Sequence, residues 1–178
     1  EENAKKYESN DILMSFVDNH DENSWNGTIK GRLGKAEEAM TALSYVMPGM
    51  PLIYSGNEYG LNHSLKFFEK DSIPKTKGKD WDLRANLGKL KAENSALNVG
   101  KNKATYKRIP TSNDNQILIF EREKNGEKVI YLANLSNQVV SASLPISGEF
   151  TDYITGKKVV FDVKLSTQLQ PWQYYIIN

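Results

Sequence analysis

The sequence predicts a chain of two unlike parts, an α/β part followed by an all-β part. Two observations carry this. Strand and helix signals alternate over residues 11–100, and from Ala104 onward they give way to short runs of alternating polarity with turn residues between them. A third fixes the hand of the second part: Asn125-Gly126 separates two apolar runs, a strong hairpin signal, so neighbouring strands there are expected to be antiparallel.

The first element is Ile12-Leu13-Met14-Ser15-Phe16-Val17, nearly continuous in apolar residues, as in a strand buried on both faces. It ends in the polar group Asp18-Asn19-His20-Asp21, and a loop rich in Asn, Ser and Gly runs to Gly34. Leu33, Ala36, Met40, Leu43 and Met47 then recur at helical spacing, with Glu37, Glu38, Thr41 and Ser44 largely off that stripe. This predicts an amphipathic helix near residues 33–47, stopped by Pro48 and Gly49. Met50-Pro51-Leu52-Ile53-Tyr54 reads as a second strand, closed by Ser55-Gly56-Asn57. Strand, helix and strand make one βαβ unit, whose strands are parallel and whose crossover is right-handed. Residues 60–79 are irregular, and Lys75, Lys77 and Lys79 read as a solvated loop. A further helix begins at Asp80-Trp81-Asp82, with Asp80 the expected N-cap and Leu83, Leu87 and Leu90 on one face.

The second part continues through Ile117-Leu118-Ile119-Phe120, Val129-Ile130-Tyr131-Leu132, Val139-Val140-Ser141-Ala142, Val159-Val160-Phe161 and Trp172-Gln173-Tyr174-Tyr175-Ile176-Ile177. Turns are expected at Ser147-Gly148 and Thr155-Gly156. Six to eight antiparallel strands in a sandwich account for this pattern, and they are expected to close a core of their own. Trp172 and Tyr174 alternate on the last strand and read as core.

Composition excludes several classes of function. The 23 basic and 22 acidic side chains nearly cancel, leaving no broad field for nucleic acid or an anionic membrane surface. No run approaches the ~20 apolar residues of a membrane span. With no cysteine there are no disulfides, thiolate metal sites or cysteine nucleophiles. The chain opens Glu1-Glu2-Asn3-Ala4-Lys5-Lys6, without an initiator Met or a signal peptide, which reads as an excised piece of a longer protein.

The chemistry concentrates at the end of the first strand. A carboxylate at Asp21 can accept two hydrogen bonds from neighbouring sugar hydroxyls or stabilise a developing positive charge, and His20 can donate or accept at a hydroxyl. An Asn-His-Asp sequence at a strand end is also consistent with a plain capped turn.

Phe16-Val17-Asp18-Asn19-His20-Asp21 resembles the F-x-x-N-H-D signature on the seventh barrel strand of the alpha-amylase family of glycoside hydrolases (family 13). Gly49-Met50-Pro51-Leu52-Ile53-Tyr54-Ser55-Gly56-Asn57-Glu58 resembles its G-x-P-x-x-Y-x-G-x-E segment on the eighth strand, with Asn57 in place of the frequent Gln. Leu87-Gly88-Lys89-Leu90-Lys91-Ala92-Glu93-Asn94-Ser95-Ala96-Leu97 is similar to the family's last barrel helix, and Gln170-Pro171-Trp172 to the closing strand of its C-terminal domain. The implied fold is α/β plus all-β: the last two strands and helices of a (β/α)8 TIM barrel over residues 1–102, then an antiparallel β-sandwich domain over residues 103–178.

By that resemblance Asp21 is the third catalytic carboxylate, a transition-state stabiliser. His20 hydrogen-bonds the same sugar, and Asn19 supports the site at the strand end. Trp25 and Arg32 lie in the following loop, where the family builds substrate subsites. Glu58 reads as structural and His63 as an ordinary loop histidine. The implied parent is a retaining glycosidase acting on α-glucosidic bonds of starch-like poly- or oligosaccharides. Its partner is an α-glucan or oligosaccharide, and no nucleic acid or membrane is expected. No metal ligand is assigned, and the resemblance leaves room for calcium in the parent. The chain lacks the strands that carry the family's nucleophile and general acid/base, so it is expected to be inactive alone and to self-associate through open barrel edges. The competing readings are a non-catalytic relative used for binding or assembly, a transglycosylase or isomerase of the same family, and a β part serving as a carbohydrate-binding module.

Overall fold

A computed structural model describes residues 6–8 and 10–178. The opening residues 1–5, from which an excised terminus was expected, lie outside the described residues.

The first part contains two very short parallel strands, β1 (Met14–Ser15) and β2 (Met50–Pro51), in register Met14 to Met50 and Ser15 to Pro51. Between them run α1 (Ile29–Leu33), a single 3-10 turn at Gly34–Ala36, and α2 (Glu37–Val46). The predicted crossover is therefore present, broken at Gly34, whose φ of 51° interrupts the helical path. Thr28 caps α1, its Oγ1 accepting from the Gly31 amide at 3.1 Å. After β2 the chain turns sharply at Gly56 (φ 88°), where a Cβ would lie 2.9 Å from Leu61 and 3.0 Å from Ile73. Gly49 (φ 141°) is tighter still: its Cβ would meet the Leu13 carbonyl oxygen at 2.5 Å. Both positions require glycine, which is why both punctuate the second motif.

Two expectations are corrected here. The apolar run at residues 12–17 is not a strand buried on both faces: Ile12, Leu13, Met14 and Phe16 are exposed. Among the described residues β1 pairs only with β2, so one edge and one face of it meet no other strand. Asp80 is not the N-cap of α3 (Lys79–Glu93); Gly78 is. The Asp80 carboxylate instead pairs with Lys30 at 3.3 Å and with Arg84 at 3.5 Å, stronger partners than a neutral backbone amide.

The second part holds eight strands: β3 (Lys107–Arg108), β4 (Ile117–Lys124), β5 (Glu127–Asn134), β6 (Val140–Ser143), β7 (Gly148–Thr151), β8 (Lys158–Phe161), β9 (Ser166–Leu169) and β10 (Tyr174–Ile177). A four-stranded antiparallel sheet has the order β10-β5-β4-β3, and β6 pairs with β9 and β7 with β8. The hairpin joining β4 to β5 turns at Asn125 (φ 52°) and Gly126 (φ 82°). Two successive positive φ values are the two-residue turn that the sequence predicts.

The central sheet is buried on both faces. Ile117, Ile119, Ile130, Leu132 and Ile177 face Val140, Ala142, Leu144, Phe161 and Leu169 of the smaller strand pairs. The alternate residues, Phe120, Val129, Tyr131, Ala133 and Ile176, face Ala42, Tyr45, Val46, Leu87, Leu90 and Leu97 of the helical part. The β part is thus a sandwich on one side only. That core is closed within residues 103–178, and the sheet's other apolar face adds a second core shared with α2 and α3. Polar bonds cross the same seam: Tyr131 donates to the Ala39 carbonyl at 2.8 Å, and Tyr174 to Glu38 Oε1 at 2.9 Å. Arg122, fully buried, donates to the carbonyls of Thr105, Val46 and Asn98.

Candidate functional site

The chain leaves β1 into a helical turn that carries the Asn-His-Asp group. Asn19 organises it: its Oδ1 accepts from the Glu22 amide at 2.8 Å and its carbonyl from the Asn23 amide at 2.9 Å, satisfying two of the turn's first donors. His20 and Asp21 carry no such load. Their side chains stand side by side, His20 Nε2 3.6 Å from Asp21 Oδ1, and remain 62% and 63% exposed. A polar pair held at a strand end but left open to solvent can meet a ligand.

Beneath the turn lies a buried ionic knot that the sequence did not single out. Asp18 is completely buried. Its Oδ1 takes Arg32 Nη2 at 2.6 Å and its Oδ2 takes Asn57 Nδ2 at 3.0 Å. Arg32, in the last turn of α1, also donates from Nη2 to the Val17 carbonyl and from Nε to the Gly27 carbonyl, and its Nη1 lies 3.3 Å from Glu22. The guanidinium expected to bind substrate is therefore largely committed to the protein, tying together the end of β1, the loop and α1. Asn57 ties in the end of β2. A Gln at that position, one methylene longer, would not fit the same 3.0 Å contact without moving. The negative Asp18 also raises the Tyr54 hydroxyl pKa, after the larger effect of burial. The signal for the knot was the Asp18 position itself: a carboxylate that closes an apolar strand and precedes a turn needs a cation when buried.

Trp25 is 63% exposed and rests against Phe67 of the loop after β2, ring centroids 5.4 Å apart. His20 also lies beside Phe67, at 5.9 Å. His63 faces Asp71 at 3.7 Å within that loop. Glu58 leaves Oε2 buried without a hydrogen-bond partner among the described residues. Lys75, Lys77 and Lys79 are exposed, with Lys77 Nζ 4.1 Å above the Trp81 ring. Trp172 and Tyr174 are half-buried, and Tyr174 packs against the shared core. The described residues contain no group of three or more His, Asp or Glu able to hold a metal ion. No helix is long and apolar enough to cross a membrane.

Comparison with known proteins bears on the fold that carries these residues. Residues 106–176 match the family model of the maltogenic amylase C-terminal domain. An alpha-amylase from Haloarcula japonica is 22% identical over 149 residues, 82% of this chain and 21% of that protein. Among solved structures, a noncanonic maltogenic alpha-amylase from Thermotoga neapolitana superposes with TM-score 0.79 at 17% identity, over 98% of this chain and 43% of that one. An alpha-amylase from Lactobacillus plantarum gives 0.74 at 18% identity, over 99% and 40%. One from Geobacillus thermoleovorans, complexed with acarbose, gives 0.70 at 17% identity, over 93% and 38%. The all-β part, residues 106–176, is of the maltogenic amylase C-terminal type, and over nearly its whole length the chain shares the fold of the corresponding part of these alpha-amylases. It spans about a fifth of the length of the curated relative and about two fifths of the solved structures.

Proposed function

We propose that this chain supplies one wall of the catalytic cleft in a retaining glycosidase acting on α-glucosidic bonds of starch-like poly- or oligosaccharides. The observation that carries the reading is the exposed His20–Asp21 pair, standing on a turn whose base is fixed by the buried Asp18–Arg32–Asn57 knot. Ionised, Asp21 stabilises the cation-like sugar of the transition state, and His20 hydrogen-bonds a hydroxyl of the same ring. Asn19 and Arg32 position the turn, and Trp25 borders the substrate.

In this reading residues 1–102 are the closing part of a (β/α)8 barrel and residues 103–178 its C-terminal domain. The parallel β1–β2 pair, with α1 and α2 crossing between, supports the first assignment. The barrel form explains why the pair sits where it does, since such barrels gather their catalytic groups at the C-terminal ends of the strands. Hydrolysis with retention needs a nucleophile and an acid/base carboxylate about 5–5.5 Å apart. We assign neither to this chain, and propose that it is inactive alone.

The test is steady-state kinetics on the full-length protein. Asp21→Asn keeps shape and removes charge, so kcat should fall by ~10²–10³ while the melting temperature holds. His20→Ala should lose less, because a neutral hydroxyl contact is worth only about 0.5–1.5 kcal/mol. An Asp21→Asn enzyme that melts like wild type and keeps its kcat leaves Asp21 a surface residue of a turn.

A further inference from the structure

Three buried polar atoms converge where α2 meets α3. Glu37 Oε1, Thr41 Oγ1 and Arg84 Nη2 find no hydrogen-bond partner among the described residues. Thr41 is 2% exposed and Arg84 5%. Groups buried to this extent are normally paired, because an unmet donor or acceptor keeps its full desolvation cost. Glu37 and Thr41 stand one helical turn apart on the same side of α2. Arg84 faces them from α3: its Nη2 lies 3.9 Å from Glu37 Oε1, an ion pair too long to be a hydrogen bond. The other end of the guanidinium is already committed. Its Nη1 donates to the Asp80 carbonyl at 3.3 Å and lies 3.5 Å from Asp80 Oδ1.

All three residues line one cavity of about 370 Å³, the size of a small-molecule site. Leu83 of α3 and Ile154, from the turn between β7 and β8, supply apolar parts of its wall. The cavity therefore lies at the seam of the helical and β parts. None of Asn19, His20, Asp21, Trp25 or Arg32 borders it.

The spacing of the three atoms selects the chemistry that completes them. Arg84 offers a donor and Glu37 an acceptor, and an oxygen set to one side can lie about 2.8 Å from both. A hydroxyl meets this demand, accepting from Arg84 and donating to Glu37. A carboxylate or phosphate oxygen cannot donate, and an ammonium cannot accept. Thr41 Oγ1 does both and suits a second hydroxyl. Burial, then the charge of Asp80, raises the pKa of Glu37, as befits a carboxylate short of donors. Three cations and four carboxylates border the cavity, so no strong field of one sign recruits an ion. Water supplies a single such oxygen. A ligand with several hydroxyls on a carbon frame also covers Leu83 and Ile154.

We propose that this cavity is a binding site for a small neutral polyol with adjacent hydroxyls, separate from the cleft at Asp21 and independent of the role given to that residue. Because α2, α3 and the β part all border it, a bound polyol stabilises the seam between them.

The experiment is a ligand-detected NMR titration of the full-length protein with myo-inositol, a cyclic polyol, and with glycerol, an acyclic one. At least one should bind saturably. Thr41→Val should weaken that binding about fivefold, the worth of one neutral hydrogen bond, and Glu37→Gln about tenfold, the bond there being to a charged group. Thr41→Val breaks no bond in the free protein, so its melting temperature should hold or rise. Asp21→Asn should leave the affinity unchanged. Failure of both polyols to saturate means that the cavity holds water only and overturns the proposal. Saturable binding that neither Thr41→Val nor Glu37→Gln weakens overturns it too, and its loss in Asp21→Asn would then place the polyol in the cleft.

Discussion

Asp18 shows how one buried residue can tie together the ends of two strands and a helix. Its carboxylate is fully buried and has two partners on different elements, Arg32 from α1 and Asn57 from the turn after β2. A buried carboxylate so paired is costly to disturb, because either partner left alone keeps its desolvation penalty. Asp18→Asn in this chain should lower stability by about 3 kcal/mol, and Asn57→Ala by about 1 kcal/mol through loss of one buried hydrogen bond. Because both act on the same carboxylate, the double variant should cost less than the sum. Urea melts of the four species measure this, and strict additivity would mean that the contacts are independent. Gln at position 57 should disturb the same contact, which gives physical content to the departure from the family pattern.

At the scale of elements, the seam between α3, α2 and the central sheet contains two cations in poor surroundings. Arg122 on β4 meets three backbone carbonyls, and burial pushes its pKa down to about 10. Lys91 on α3 donates to the Tyr45 carbonyl at 3.0 Å; burial first, then the nearby Arg122, push it down to about 8. The ordinary lysine value is 10.5. Between about 8 and 10.5 the unfolded chain therefore binds more protons at this position than the folded one. The penalty is complete below pH 8 and fades as the pH rises. A comparison with Lys91→Met isolates it from the tyrosines, whose raised pKa values act in the opposite sense above pH 10. The stability of Lys91→Met relative to wild type should fall between pH 7 and pH 10. The change should be on the order of 1 kcal/mol, allowing for solvent screening of a side chain that is only partly buried. A difference that stays flat with pH would show that Lys91 is not electrostatically strained.

The molecule as a whole is three layers: helices, the central sheet, and the smaller strand pairs. Because β4, β5 and β10 contribute to both cores, their amides should exchange last and together with those of α2 and α3 in native-state hydrogen exchange. Residues 12–17, exposed and paired along one edge only, should exchange first. Slower exchange there than in β5 would contradict the layering. The proposed division near residue 102 therefore leaves one core whole and cuts through the other. Cut there, residues 103–178 would uncover Phe120, Tyr131 and Ile176.

Much of this was legible in residues 12–58 and 117–134. The Asn125-Gly126 turn could be placed to the residue because only a few residue types accept two positive φ values in succession. Gly49 and Gly56 mark turns too tight for a Cβ, so local sterics alone place them. The Asn-His-Asp group could be proposed as the place of chemistry only through its resemblance to the family's strand-end signature, since such a cluster by itself is equally a capped turn. The double burial of the central sheet was not legible as such. Leu118, Phe120 and Arg122 lie on one face of β4, and alternation shows that they share it, but not that helices cover it. The roles of Asp18, Arg32 and Asn57, and the meeting of Trp25 with Phe67, depend on loops 39 and about 40 residues apart in the chain. By itself, then, the sequence determined the local turns and the order of the elements, set by short-range sterics and periodicity, while its motifs carried the family resemblance. Which charges are buried, which are left open to a ligand and which faces share a core were decided only by tertiary structure, because burial is a property of what packs against a residue and not of the residue.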